Sequence, residues 1–167
     1  MTALSMHQAS VPVFIRGLTA LSAELEKAAA SAGERKFDLN ILASARLAPD
    51  MLSLAGQVQR ASDTSKLSGE RLSGTPAPKF EDTETTLPEL QARIAKTIAY
   101  LESLDPVLFV GSEDKTITLN HIGDLKGDAY LLSFALPNFF FHVATAHAIL
   151  RQNGVPVGKR DFLGPIA

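Results

Sequence analysis

Cysteine and tryptophan are both missing from this 167-residue sequence, and nine of its eleven aromatic residues are phenylalanine. Without cysteine there is no disulfide, no thiolate nucleophile and no sulfur ligand for zinc. With only two tyrosines the chain has few polar-tipped rings to stack on bases or sugars. An excess of one charge is lacking too. Sixteen Lys and Arg against eighteen Asp and Glu leave a formal net charge of −2 and a pI near 6.1, and no block of like charge is long enough to track a phosphate backbone. Nucleic-acid binding is therefore not expected. No basic stretch followed by a long apolar run and a small-residue cleavage site stands at the N-terminus, which leaves the cytoplasm as the expected location. A phosphate loop, Gly-x-Gly-x-x-Gly, His-Glu-x-x-His and Gly-x-Ser-x-Gly are all absent, so covalent catalysis has no identifiable nucleophile.

What is present is 46% hydrophobic residues at this length, enough for one domain over 1–167 with one core. Leu4, His7, Val11, Phe14, Leu18, Leu21 and Leu25 alternate spacings of three and four, the stripe of an amphipathic helix. Ser5 and Gln8 form a capping box at its head, Pro12 predicts a kink or a later start near Ser10, and Gly33 is the expected stop. A second helix is expected from Pro49, with Asp50 in its first turn and Leu47, Met51, Leu54, Val58 and Ala61 inward. Over 62–88, fourteen of twenty-seven residues are Ser, Thr, Gly or Pro, which predicts a long connection whose early part continues helix two. Thr86 and Glu89 box the start of a third helix that Asp105-Pro106 ends. Val107-Leu108-Phe109-Val110 and Thr116-Ile117-Thr118-Leu119 around a Gly-Ser-Glu-Asp-Lys turn read as a β-hairpin. Residues 129–135 read as extended, and the last helix runs from Pro137 to Asn153 with Gly154 closing it. The twenty-two residues 129–150 carry no formal charge, long enough to cross a bilayer, but Pro137, Asn138, His142 and His147 interrupt them and favour a buried helix. The fold class is all-α, a four-helix bundle with a small β insertion before the last helix.

Chemistry concentrates on the last helix. Asn138, His142 and Thr145 are spaced four and three apart, a polar line on an otherwise apolar element, and buried polar groups need partners. His7, Asp50 and Gln57 are the candidate partners across the bundle. If they converge, they surround a small cavity with an imidazole, a carboxylate and an amide, a place where bundles hold a metal or a small molecule. His147, five residues from His142 and about 140° around the helix, cannot share an ion with it. His121 lies in a polar connection and is expected in solvent. In the tail, Arg151, Lys159 and Arg160 are candidates for a weak anion contact, while Phe162 and Leu163 offer an apolar anchor.

Pro137-Asn138-Phe139-Phe140-Phe141-His142, the stretch from Ala148 to Val155, Gly158-Lys159-Arg160-Asp161-Phe162-Leu163 and Leu47-Ala48-Pro49-Asp50-Met51 together resemble a bacterial family of about this length within the DinB/YfiT-like metalloenzyme superfamily. The resemblance covers nearly the whole chain. It implies an up-down-down-up bundle, often dimeric, with one metal-binding histidine on helix two and a His-x-x-x-His pair on the last helix. Here Asn138-x-x-x-His142 stands where the pair would be, and Asp50 lies near the helix-two position. One histidine of three is matched. Asp50, Asn138 and His142 would suit Ni²⁺, Mn²⁺ or Mg²⁺ better than Zn²⁺.

Two readings follow. One is a cytoplasmic, homodimeric binding or structural domain with a vestigial site. The alternative is a divalent-metal-dependent enzyme of hydrolase or thiol-transferase type.

Overall fold

The computed structural model describes residues 4–165. Four long helices carry the architecture: α1 (Met6–Arg35), α3 (Leu54–Ser73), α4 (Leu87–Glu102) and α6 (Leu136–Gln152). Shorter pieces join them: α2 (Ile41–Ser44), two 3-10 turns at Pro106–Phe109 and Ser112–Asp114, strands β1 (Thr116–Leu119) and β2 (Gly123–Lys126), α5 (Gly127–Tyr130) and α7 (Lys159–Leu163). Around the bundle the order is α1, α4, α3, α6, so α6 packs against both α1 and α3. The four-helix bundle with a small β-hairpin before its last helix, expected from the sequence, is the architecture found.

Helix α1 begins where its capping box lies. The Ser5 hydroxyl accepts from the Gln8 amide and the Gln8 side chain accepts from the Ser5 amide. Pro12 sits inside the helix without ending it, and Val11, Phe14, Leu18, Leu21 and Leu25 are buried as the spacing predicts. Leu4 is outside the stripe and 75% exposed. The helix runs past Gly33 and ends at Lys36, which adopts the left-handed conformation.

Helix two of the bundle, α3, departs from expectation at its start. It starts at Leu54 rather than near Pro49, because Ser53 caps it through the Gly56 amide and the preceding chain closes on itself, Leu54 N–H donating to the Ala45 carbonyl at 2.8 Å. Leu47 and Met51 therefore lie outside the helix and its buried stripe. At the other end the early part of the 62–88 stretch continues the helix, as expected, as far as Ser73. Several of its hydroxyls bond within the helix, Thr64 donating to the Arg60 carbonyl, Ser68 to Thr64 and Ser73 to Gly69, while Ser62 reaches across to Thr97 and Arg93. Small residues let α4 approach closely; a Cβ on Gly69 would lie 3.2 Å from Tyr100 and 3.3 Å from Leu101 on that helix. Gly74, at φ 85°, ends the helix and leaves residues 74–86 as the connection.

That connection is fastened rather than loose. Arg93 on α4, side chain 1% exposed, binds Asp63, Asp82 and Glu84 and stacks at 4.9 Å on the Phe80 ring. Tyr100 donates its hydroxyl to the Thr75 carbonyl at 2.7 Å. Helix α4 itself starts with the Thr86–Glu89 box, as expected.

Val107 to Val110 is not a strand. Asp105 caps a 3-10 turn there, and the hairpin pairs β1 with β2, Ile117 opposite Leu125, with His121 exposed in the connection between them. Nor is 129–135 extended. Gly127–Gln152 is one continuous 26-residue helix containing a π-type turn at Leu131–Ala135, where the Leu136 N–H reaches the Leu131 carbonyl. Widening the turn just before Pro137 accommodates a residue that has no N–H to give. By length and composition alone this helix is long and apolar enough to cross a membrane. One face is bundle core, with Phe139, Val143, Ala146, Ile149 and Leu150 buried.

Candidate functional site between α3 and α6

Two helical stripes face each other. On α3 the residues Gln57, Arg60, Thr64, Leu67 and Arg71 follow spacings of three and four; on the facing helix Phe134, Asn138 and His142 are four apart. His142 Nδ1 and Gln57 Oε1 are 2.7 Å apart. Gln57 is 1% exposed and its Nε2 donates to the Leu52 carbonyl at 3.2 Å, so its oxygen is the atom turned to the ring. The Nδ1 of His142 therefore carries the proton, and Nε2 keeps its lone pair. Burial, and secondarily the nearby Arg60 charge, hold this imidazole below the ordinary histidine pKa. One turn earlier, Asn138 Nδ2 donates to Thr64 Oγ1 at 2.8 Å. Thr145 is buried and turns its hydroxyl back to the Phe141 carbonyl.

The sequence-derived cluster is thus brought together only in part. His142, Asn138 and Gln57 share one helix-helix seam. Asp50 does not join them: it is exposed in the 45–53 loop, because the helix that was to carry it begins four residues later. His7 packs edge-on against Phe109, centroids 5.1 Å apart, and lines an apolar groove of about 520 Å³ between α1 and the end of α4, with Val11, Ile15, Leu101 and Pro106. Arg151, Lys159 and Arg160 are exposed, and among the described residues none of them meets a carboxylate. Thr64 and Arg71 went unnoticed in the sequence because they fell in the expected 62–88 connection, and Arg60 because it just precedes it; their common three-and-four spacing with Gln57 was the available signal.

A second buried pair was also missed. Glu24 on α1, 1% exposed, meets His147 Nδ1 through Oε1 at 2.7 Å, while its Oε2 has no hydrogen-bond partner. Burial pushes the Glu24 carboxyl above the ordinary glutamate range, with the His147 hydrogen bond pulling the other way. Phe162 of α7 lies edge-on to His147 at 5.9 Å, and Lys27 fixes α7 through Asp161 at 2.7 Å.

A family model for a domain of unknown function, DUF1993, matches residues 6–163. The chain belongs to the DUF1993 family. It is 40% identical to a solved structure described as a DinB family member protein from Shewanella denitrificans, over 96% of this chain and 93% of that one, with a TM-score of 0.92. No curated protein matches. This DUF1993 chain is therefore DinB-like, as the resemblance in its C-terminal motifs implied.

The resemblance to metalloenzymes raises the question of whether the residues at the α3–α6 seam suit a divalent ion. They do not. His142 is the one imidazole, Gln57 Oε1 is already engaged by it, the Asn138 amide donates to Thr64, and Asp50 lies outside. Among the described residues no three His, Cys, Asp or Glu side chains stand close enough to hold an ion. The Arg60 charge acts on the ring in the direction that disfavours further positive charge there. Neutral amides and one imidazole next to a guanidinium make a poor donor set for any of Ni²⁺, Mn²⁺, Mg²⁺ or Zn²⁺.

Proposed function

We propose that this DUF1993 chain is a non-catalytic binding or structural domain in which a hydrogen-bonded amide–imidazole network occupies the place of a metal centre. The observation that carries this reading is the Gln57–His142 hydrogen bond: the imidazole is oriented by an amide that is itself anchored to the Leu52 carbonyl, and burial together with the Arg60 charge disfavours its protonated form. Such a network holds α3 and α6 in register through the Gln57–His142 hydrogen bond. No hydrolytic or thiol-transfer step is supplied by these groups.

The test is metal loading. Protein incubated with nickel, manganese, magnesium or zinc chloride and then desalted is expected to retain substoichiometric metal by elemental analysis. One equivalent retained by the native chain and lost in His142→Ala overturns the proposal in favour of a metal-dependent enzyme.

Homodimerisation belongs to the same proposal. Leu4 and Val110, 75% and 79% exposed, line one shallow cavity at the bundle end, and Val107 nearby in sequence is 64% exposed. Apolar surface of this kind favours a second copy. Sedimentation velocity at micromolar concentration is expected to show a dimer that Val110→Asp dissociates; a monomer in the native protein removes this part of the reading.

A further inference from the structure

Beyond His142, the facing stripes enclose a cavity of about 210 Å³ on the side of the π turn. Leu67, Leu119 and Phe134 form its apolar wall, and Arg60, Arg71 and Asn138 its polar one, with Asp63 and Thr64 completing the lining. The charges here do not balance. Asp63 is shared by Arg93 at 2.7 Å, Lys66 at 3.2 Å and Arg60 at 3.6 Å, and Asp82 and Glu84 are taken up by Arg60 and Arg93. Four cations thus stand among three carboxylates, and Arg71 is the one that meets no carboxylate among the described residues.

Arg71 is nonetheless held in place. Its Nη1 donates to the Tyr130 hydroxyl at 3.0 Å, and its guanidinium carbon lies 5.5 Å from the Tyr130 ring centroid. Tyr130 is fully buried and its hydroxyl is bonded to Ser68 at 2.9 Å, so the guanidinium rests on a rigid platform. The Nε and Nη2 donors have no partner in the protein among the described residues. The π turn follows Tyr130 directly and carries Phe134 into the same cavity. Turns of this type recur where helices build ligand sites.

We propose that this cavity binds a small organic carboxylate with an apolar body, the carboxylate on Arg71 and the body against Leu67, Leu119 and Phe134. The proposal rests on reading the α3–α6 seam as a site without a metal. A fixed guanidinium with open donors recognises a planar carboxylate through charge-assisted, paired hydrogen bonds. The volume is below that of drug-sized sites and suits one ring or a short branched chain.

The full chain is titrated with benzoate, benzamide and acetate by calorimetry, with amide chemical shifts followed in parallel. Benzoate is expected to saturate, with shifts centred on Thr64, Arg71 and Phe134, and to bind at least about tenfold more tightly than benzamide, which lacks the charge, or acetate, which lacks the body. Arg71→Gln is expected to lower benzoate affinity by about tenfold or more while leaving benzamide binding unchanged. Benzamide binding as tightly as benzoate, acetate doing so, absence of saturation, or benzoate binding that survives Arg71→Gln overturns the proposal. If Arg71→Gln fails to fold, the three-ligand comparison on the native chain decides alone. Failure of benzoate with a metal-free desalted protein removes this inference and leaves the seam reading intact; a stoichiometric retained ion removes the seam reading itself.

Discussion

His142 and His147 lie five residues apart on the same helix, yet their environments are opposite in kind. His142 faces α3 and meets the neutral amide of Gln57; His147 faces α1 and meets the acid of Glu24. The difference comes from the facing helices, since a separation of about 140° sends the two rings to different neighbours. On the α3 side the imidazole enters a stripe where the Gln57 amide meets it and Thr64 meets Asn138. On the α1 side a single carboxylate is inserted into an apolar stripe, with one oxygen bonded to His147 and the other unpaired. A histidine's electrical character is thus set by what the opposite helix brings to it.

Removing each ring separates the two most sharply. His147→Ala leaves a buried carboxylate without its partner and is expected to cost about 3–5 kcal/mol of folding stability, measured by chemical denaturation. Replacing both members with apolar residues, Glu24→Met with His147→Leu, is expected to recover most of that loss, and failure to recover it assigns the cost to packing instead. His142→Ala strands Gln57 Oε1, an uncharged group, and the expected loss is smaller, about 1–3 kcal/mol. Equal losses at the two sites would erase the distinction drawn here.

Acid should separate them by sign. His142 is held below its ordinary pKa of 6.5, so the stability it contributes is complete above that value and is lost as pH falls through the lower, folded-state value. Glu24 is held above its ordinary 4.5, so its contribution is complete below that value and is lost as pH rises through the higher, folded-state value. Melting temperatures recorded across mildly acidic pH are therefore expected to shift in opposite directions in His142→Gln and Glu24→Gln relative to the native chain; parallel profiles contradict the assignment. The smallest expected effect is at the edge of the His147 region. Lys27→Ala breaks an exposed pair with Asp161, 47% and 26% exposed, and should cost at most about 1 kcal/mol.

Local chemistry made parts of this molecule readable in advance. The Ser5 and Thr86 capping boxes, the stripe from Val11 to Leu25 and the polar line on the last helix all depend on residues within a turn or two of one another, and each is present as expected. The start of α3 was misjudged because Pro49-Asp50 is a good first turn by itself, whereas the Ser53 cap and the Leu54–Ala45 bond depend on a loop closing. How far α3 continues into the Ser/Thr-rich 62–88 stretch was not legible, because hydroxyls favour turns when nothing covers them. Buried against neighbouring helices, Thr64, Ser68 and Ser73 bond to their own helix instead. Glu24 was overlooked as an ordinary charge on a helix, with nothing in its neighbours to mark it as buried.

By itself, then, the sequence determined the helical class, the ends that carry strong caps, the absence of cysteine and the polar line of Asn138 and His142 on the last helix. These follow from short-range spacing and from composition, which act along the chain. Tertiary structure alone decided which groups those side chains meet: Gln57 and Thr64 rather than Asp50 and His7, Glu24 opposite His147, and an Arg71 left without a carboxylate beside a π turn. Partnership across helices depends on where each helix begins and how closely its face lets a neighbour approach. Shifting the start of α3 from Pro49 to Leu54 was enough to take Asp50 out of the site and leave the Gln57 amide there without a carboxylate beside it.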